Sequence, residues 1–170
     1  MRTTIVILLA ILLGPLQGQA QPPSEVVDRV INTINDIRSE DRRCGKKYMK
    51  AVDPVTWNDL LYHTAASHAQ DMLDKNYFGH ISKDGKDVGS RFDEHGYNWQ
   101  FAGENLGEGQ DSFQEVVKDW LESPSHCRMI MNPDMKEMGL SKRGRFWVQH
   151  FGAEMPKNYK RTNTRYSEGK

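Results

Sequence analysis

Two histidines and two glutamates, spread over residues 80–126, are the side chains of this chain best suited to chemistry. His80 follows two aromatics and a glycine in Tyr77-Phe78-Gly79-His80, and Glu104 sits inside Gly103-Glu104-Asn105-Leu106-Gly107. An imidazole and a carboxylate in such apolar, glycine-rich surroundings are costly to bury without partners. The two are therefore expected to meet in a polar cavity. Glu122 and His126 lie four apart, which puts both on one face of a continuous helix, with Pro124 between them as a break point. Imidazole plus carboxylate suits a divalent, zinc-type ion with open positions, or an acid–base pair around water. Spacing alone does not choose between these, nor does it single out these four from the other acids. The chain has no His-Glu-x-x-His, no Gly-x-Ser-x-Gly and no phosphate-binding glycine loop.

Four further histidines complete the set of six. His63 and His68 are five apart on one predicted helix and so share no stripe. His68 falls among alanines on the apolar face and reads as a satisfied core histidine or one that supports the site residues, rather than as a ligand. His63 and His95 have no partner in sequence and read as surface residues. His150, in Trp147-Val148-Gln149-His150-Phe151, is left without a role, although strand alternation places it on the face opposite Gln149.

The elements that must position these residues are legible from periodicity. Val26, Val27, Val30, Ile31, Ile34 and Ile37 recur at helical spacing behind Ser24 as N-cap, predicting a first helix to about residue 39. A polar run over 40–50 ends it, and residues 54–57 form an extended connector. Asn58 caps a second amphipathic helix built on Leu60, Leu61, Thr64, Ala65, His68, Ala69, Met72 and Leu73. Its small residues allow close packing. A turn-rich loop over 79–86, a third helix over 88–95 and a strand over 101–106 follow. Asp111 with Gln114 has the form of a capping box before Phe113, Val116, Val117 and Trp120, and Pro124 restarts a short helix. Strands over 138–140 and 146–151 pair as a hairpin through 141–144. Helices flanking a small, mainly antiparallel sheet make a layered α+β fold.

The ends and the composition bound the function. Arg2, the apolar run 5–13 and Gly18-Gln19-Ala20 have the three-part form of a signal peptide, predicting a leader over residues 1–20. The apolar run is too short to span a bilayer. The mature chain is thus expected to be exported, to a secreted or periplasmic location, as one domain over 21–155. Residues 156–170 carry five Lys/Arg against one acid and read as a basic, disordered tail. The body holds seventeen Lys/Arg against twenty-two Asp/Glu, which argues against a nucleic-acid partner. Cys44 and Cys127, the two cysteines of an exported chain, point to one disulfide.

The ordered motifs Trp57-Asn58, Ala69-Gln70-Asp71-Met72, Tyr77-Phe78-Gly79-His80, Gly96-Tyr97, Gly103-Glu104-Asn105, Trp120, Ser123-Pro124-Ser125-His126, Asn132-Pro133, Met138-Gly139 and Trp147-Val148-Gln149 cover nearly the whole mature chain. In this order they resemble the CAP superfamily (cysteine-rich secretory proteins, antigen 5 and pathogenesis-related 1 proteins), in its compact bacterial secreted branch. The resemblance implies a three-layer α-β-α sandwich with a large central cavity carrying a tetrad, here His80, Glu104, Glu122 and His126. It also implies zinc or another divalent cation on His80 and His126 in some members. The partners it implies are a small apolar ligand, a peptide or a cell-surface component, and no shared reaction comes with it. An exported binding module is the expectation. The alternatives are a metal-assisted, peptidase-like hydrolase with Glu104 or Glu122 as base, and a purely structural polar cluster. The chain departs from eukaryotic members around His126 and lacks their several disulfides and cysteine-rich C-terminal module.

Overall fold

The computed structural model describes residues 21–156 together with 158 and 159. The predicted leader and nearly all of the predicted tail lie outside the described residues. Eleven elements follow one another: α1 (Ser24–Arg38), β1 (Arg42–Cys44), β2 (Lys47–Met49), β3 (Thr56–Trp57), α2 (Asp59–Asp74), α3 (Val88–Glu94), β4 (Trp99–Glu108), α4 (Phe113–Glu122), α5 (Pro124–Ile130), β5 (Glu137–Arg143) and β6 (Phe146–Glu154). The main sheet has the order β3-β5-β6-β4, with β3 parallel to β5 and the other pairs antiparallel. A separate hairpin pairs β1 with β2. The fold is α+β, with helices on both faces of the sheet.

Strand alternation sorts the core into two faces. Trp147 and Phe151 of β6 pack with Met138 and Leu140 of β5 against Val30 and Ile34 of α1 and Val116 and Trp120 of α4. Phe146 and Val148, one residue out of phase, pack with Leu106 against Ala65, Ala69 and Met72 of α2. Phe92 of α3 joins Leu61 and Tyr97 on that same side. Each of the larger apolar side chains contributes roughly 1.5–3 kcal/mol by leaving water. Asn58 caps α2, its side chain accepting from the N–H groups of Leu60 and Leu61, and its amide donates to Glu137 Oε1 at 2.9 Å.

The predicted local signals shift by small steps. Ser24 is the first helical residue of α1 rather than its cap, and Pro23 in the N-cap position provides no side-chain bond. The capping box before α4 sits one residue later than the sequence pattern suggests: Ser112 Oγ accepts from Glu115 N–H, and Glu115 Oε2 accepts from Asp111 N–H. The 141–144 turn is shorter than expected because the strands run on to Arg143 and from Phe146, leaving Gly144 at φ +53° to reverse the chain.

Two devices fix α5. Cys44 in β1 and Cys127 in α5 are disulfide-bonded, closing a separation of 83 residues. Chain-entropy reasoning assigns such a loop roughly 4–5 kcal/mol at most. Arg38, fully buried at the end of α1, donates to the carbonyls of Ile130 at 2.6 Å, Asn132 at 3.1 Å, Met135 at 3.2 Å and Asp53 at 2.7 Å. Its cation therefore meets the carbonyl end of α5, where the helix dipole favours positive charge. Burial lowers its pKa to about 10, which leaves it charged at neutral pH.

The layers come into backbone contact at Gly139 of β5. A Cβ there would land on the backbone of Leu61 and Tyr62 in α2, atoms that cannot swing aside. Gly139→Ala is expected to destabilise the fold by at least the roughly 1–3 kcal/mol of an overpacked core. Gly79→Ala, where a new Cβ would meet its nearest neighbour at an ordinary 3.9 Å, should stay near wild type. Urea denaturation of the two variants checks the contrast, and equal midpoints would refute it.

Candidate functional site

Glu104 lies in the middle of β4, paired across the ladder with His150 of β6, and its side chain is 2% exposed. A carboxylate in that position needs donors, and it has three. Oε1 accepts from His80 Nδ1 at 2.7 Å. Oε2 accepts from Arg91 Nη2 at 2.6 Å and from His150 Nε2 at 2.8 Å. The donors come from three separate segments: the loop after α2, helix α3 and strand β6. Burial pushes the carboxyl up, but the hydrogen bonds from His150 and His80, with the charge of Arg91, outweigh it. Glu104 is held well below the usual carboxylate range.

Arg91 does a second job with its other terminal nitrogen. Nη1 donates to the carbonyls of His80 at 3.0 Å and Lys86 at 2.9 Å, and lies 3.1 Å from Ser82 Oγ. One buried guanidinium thus pins the loop that carries His80 to the carboxylate that orients it. His68 of α2 stands behind them. Its Nε2 is 3.1 Å from the Gly79 carbonyl and 3.7 Å from Glu104 Oε2. Both neighbours are acceptors, so Nε2 carries the proton. Burial lowers the His68 pKa to about 4, against the partial opposition of the Glu104 charge, so the ring is neutral at pH 7. Burial likewise pushes the His150 pKa down.

His80 donates inward through Nδ1, which turns Nε2 outward on a side chain 58% exposed. His126 approaches from the other side of the sheet. Its carbonyl accepts from Asn105 Nδ2 at 3.3 Å, and Asn105 also donates to Gln149 Oε1 at 3.0 Å, on the face opposite Glu104. The His126 ring is half-buried, its pKa lowered first by burial and then by the charge of His80. β4 is the edge strand between them. Glu122 takes a different place. It is 67% exposed and faces Lys118 at 3.9 Å on the outside of α4. Ser123, at φ −83° and ψ 120°, ends α4 before α5 begins, so Glu122 and His126 do not share a helix.

The expected tetrad is therefore recast: Glu104 gathers His80, Arg91 and His150 directly, with His68 beside them. Strand alternation set His150 opposite the Gln149 face, in phase with Phe146 and Val148, and only the β4–β6 register brings it to Glu104. Arg91 was signalled only by a cation next to Phe92 on a short amphipathic helix. His63 and His95 are half-buried rather than on the open surface, and His95 Nδ1 lies 2.9 Å from the Arg91 carbonyl. A depression of about 440 Å³ lies elsewhere on the sheet, lined by Gln100, Phe101, Pro133, Asp134, Lys136, Glu137, Ala153 and Glu154. It takes in none of His80, Glu104, Glu122 or His126, unlike the central cavity expected around them.

Comparison with known proteins adds to this geometry. The model of the cysteine-rich secretory protein family, CAP, matches residues 31–151. The chain belongs to the CAP family. It is 35% identical over 112 residues to the protein YkwD of Bacillus subtilis (strain 168), a match covering 63% of this chain and 42% of YkwD. It thus spans about two fifths of the length of that curated relative. An extracellular protein of Bacillus anthracis str. Ames containing a SCP domain shares the fold at TM-score 0.67 and 24% identity, over 77% of this chain and 41% of that one. An outer surface protein of Borrelia burgdorferi does so at TM-score 0.62 and 18% identity, over 78% and 92%. Likeness at these identities establishes the fold, not an activity.

The donor set of this CAP domain can be tested against a resident zinc. Catalytic zinc takes three protein ligands and keeps one position open. Both oxygens of Glu104 are already engaged, and Glu122 faces solvent. Among the described residues, no group of three or more His, Cys, Asp or Glu side chains is placed to hold a metal ion. The two imidazoles fall short of a catalytic centre, and no hydrolytic step follows from them.

Glu104→Gln is expected to cost about 3–5 kcal/mol at neutral pH, because it leaves the buried Arg91 without its counter-charge. The Glu104 pKa is depressed, so its contribution is complete above the ordinary value of 4.5 and is lost as pH falls below it. The gap between wild type and Glu104→Gln should therefore narrow below about pH 4.5; a gap that widens there would contradict the assignment. His68 acts at higher pH. From 6.5 down to about 4 the unfolded chain takes up its proton and the folded chain does not, so stability falls as pH falls. His68→Gln should flatten that slope in urea denaturation at stepped pH, and an unchanged slope would count against a neutral, buried His68.

Proposed function

We propose that this CAP protein acts outside the cytoplasmic membrane as a binding module, with His80 and His126 at the centre of its contact surface. One observation carries the reading: Glu104 holds His80 by Nδ1 and leaves Nε2 free toward solvent. A fixed tautomer with an outward lone pair is a preorganised acceptor or ligand, and the energy of ordering it is already met by the fold. Phe78 and Ile81, on either side of His80 in sequence, are about half exposed and add apolar contact area. A peptide, a small apolar ligand or a cell-surface component fits that mixture. The apolar leader pattern and the Cys44–Cys127 disulfide support a location in an oxidising compartment. The extracellular and outer-surface relatives lean the same way. Among the described residues no helix is long and apolar enough to cross a membrane.

A shared divalent ion is the finer part of this proposal. Neutral imidazoles suit zinc, and with two of them the remaining positions fall to water or to a donor from the partner. Hydrolysis has less support, because a buried and strongly acidic Glu104 is a poor base.

Isothermal titration of the metal-free full chain with zinc is expected to show one equivalent bound at about pH 7.5, above the histidine range. His80→Ala and His126→Ala should each weaken it at least tenfold, and Glu122→Gln should leave it unchanged. Binding should fade through the histidine range on acidification, since the ligating rings must be neutral. Wild-type protein that takes up no zinc would remove the metal from this reading, and loss of binding in Glu122→Gln would return Glu122 to the site.

A further inference from the structure

His63 is a half-buried histidine with no part in the Glu104 cluster, and its neighbour is a residue with latent chemistry. Gln21 Nε2 lies 3.0 Å from His63 Nε2. The amide nitrogen is the donor of that pair, so His63 presents its Nε2 lone pair to the side-chain nitrogen of Gln21. Gln21 is also the residue that follows Gly18-Gln19-Ala20, where the small residues at the first and third places fit a leader cleavage site. Cleavage there would make Gln21 the first residue and give it a free α-amine.

We propose that Gln21 is the N-terminal residue of the mature protein and closes to pyroglutamate, with His63 aiding departure of the ammonia. The proposal rests on the export reading above. In the ring closure the α-nitrogen lone pair attacks the side-chain carbonyl carbon Cδ, forming the N–Cδ bond of a five-membered lactam. The Cδ–Nε2 bond breaks, and Nε2 leaves as ammonia after taking up a proton. The proton lost by the α-nitrogen balances the one gained by the leaving group, and no electrons are exchanged. The slow part of such a step is expelling an amide nitrogen, which leaves only once protonated. The His63 Nε2 lone pair within hydrogen-bond reach of that nitrogen is placed to take the proton lost by the α-nitrogen in the tetrahedral intermediate and to return it to the departing Nε2.

The following residues hold this arrangement in place. Pro22 and Pro23 stiffen the approach, and Pro23 at φ −54° and ψ 143° is extended before α1 begins at Ser24. Pro23 contributes no side-chain cap, so the first turn of α1 shows its N–H groups and the positive end of its dipole. A free α-ammonium just ahead of that end would repel it. The lactam is neutral and removes the repulsion, as well as the amine that aminopeptidases require.

The test is mass spectrometry of the full chain exported through its own leader, with the N-terminal tryptic peptide followed over time at neutral pH. The expected peptide covers residues 21–29 and is lighter by one ammonia. His63→Ala, checked by circular dichroism for an unchanged fold, should form the lactam several-fold more slowly. An exported chain that begins at Gln21 and keeps its free amine overturns the proposal, as does one that begins at another residue. Equal rates in wild type and His63→Ala overturn the role of His63. A chain retained in the cytosol with residues 1–20 attached overturns the export reading itself, an outcome distinct from the other three.

Discussion

One buried carboxylate organises the functional end of this molecule. Glu104 cannot sit at 2% exposure in mid-strand unless its charge is matched. The match comes from Arg91 and two imidazole N–H groups contributed by three segments far apart in sequence. The interaction therefore acts on topology as much as on charge. It ties the loop after α2 and helix α3 to the β4–β6 ladder. The three acceptors around Arg91 Nη1 belong to that loop. Loop and carboxylate are consequently one unit, and the geometry of His80 is inherited from the sheet rather than from its own backbone.

The other side of β4 is held by different means for the same result. α5 is a helix of seven residues, too short to persist by itself. A disulfide from β1 and the buried Arg38 guanidinium at its carbonyl end fix it. Pro124 adds steric restraint, since a Cβ on Gly45 would meet its ring at 2.9 Å. His126 rides on this braced helix, and Asn105 joins its carbonyl to the sheet. Two imidazoles are thus brought to the edge strand by rigid supports on opposite faces, which is how a site on short elements keeps its geometry.

The layers and the polar centre differed in how legible they were. Helical spacing of Val30 and Ile34, and of Val116 and Trp120, predicted faces that do bury, because amphipathic periodicity is a local property of the chain. The hairpin of β5 and β6 was legible for the same reason, apart from its exact turn. His80 and Glu104 stood out because each was a polar residue in an apolar setting. Arg91 and His150 carried no such mark: their meaning lies in the register that sets His150 opposite Glu104 and in a helix crossing that no local pattern encodes. Glu122 shows the converse error. Its spacing from His126 suggested a shared helical face, and the backbone break at Ser123 separates the two elements.

The hydrogen bonding of Glu104 also bears on what kind of site this is. A catalytic carboxylate needs a free lone pair and a pKa near the working pH, so that it can take a proton and return it. Here both oxygens are engaged, by three donors in all, and the acid is pushed strongly downward, a state that favours permanent charge over proton traffic. The same bonding makes His80 a better ligand. A carboxylate behind Nδ1 fixes the tautomer and raises the electron density at Nε2, the arrangement that metal-bound and hydrogen-bonding histidines share. Stability and presentation thus come from a single set of bonds. A surface built in this way is suited to hold something in a fixed orientation, and its chemistry depends on what the bound partner brings.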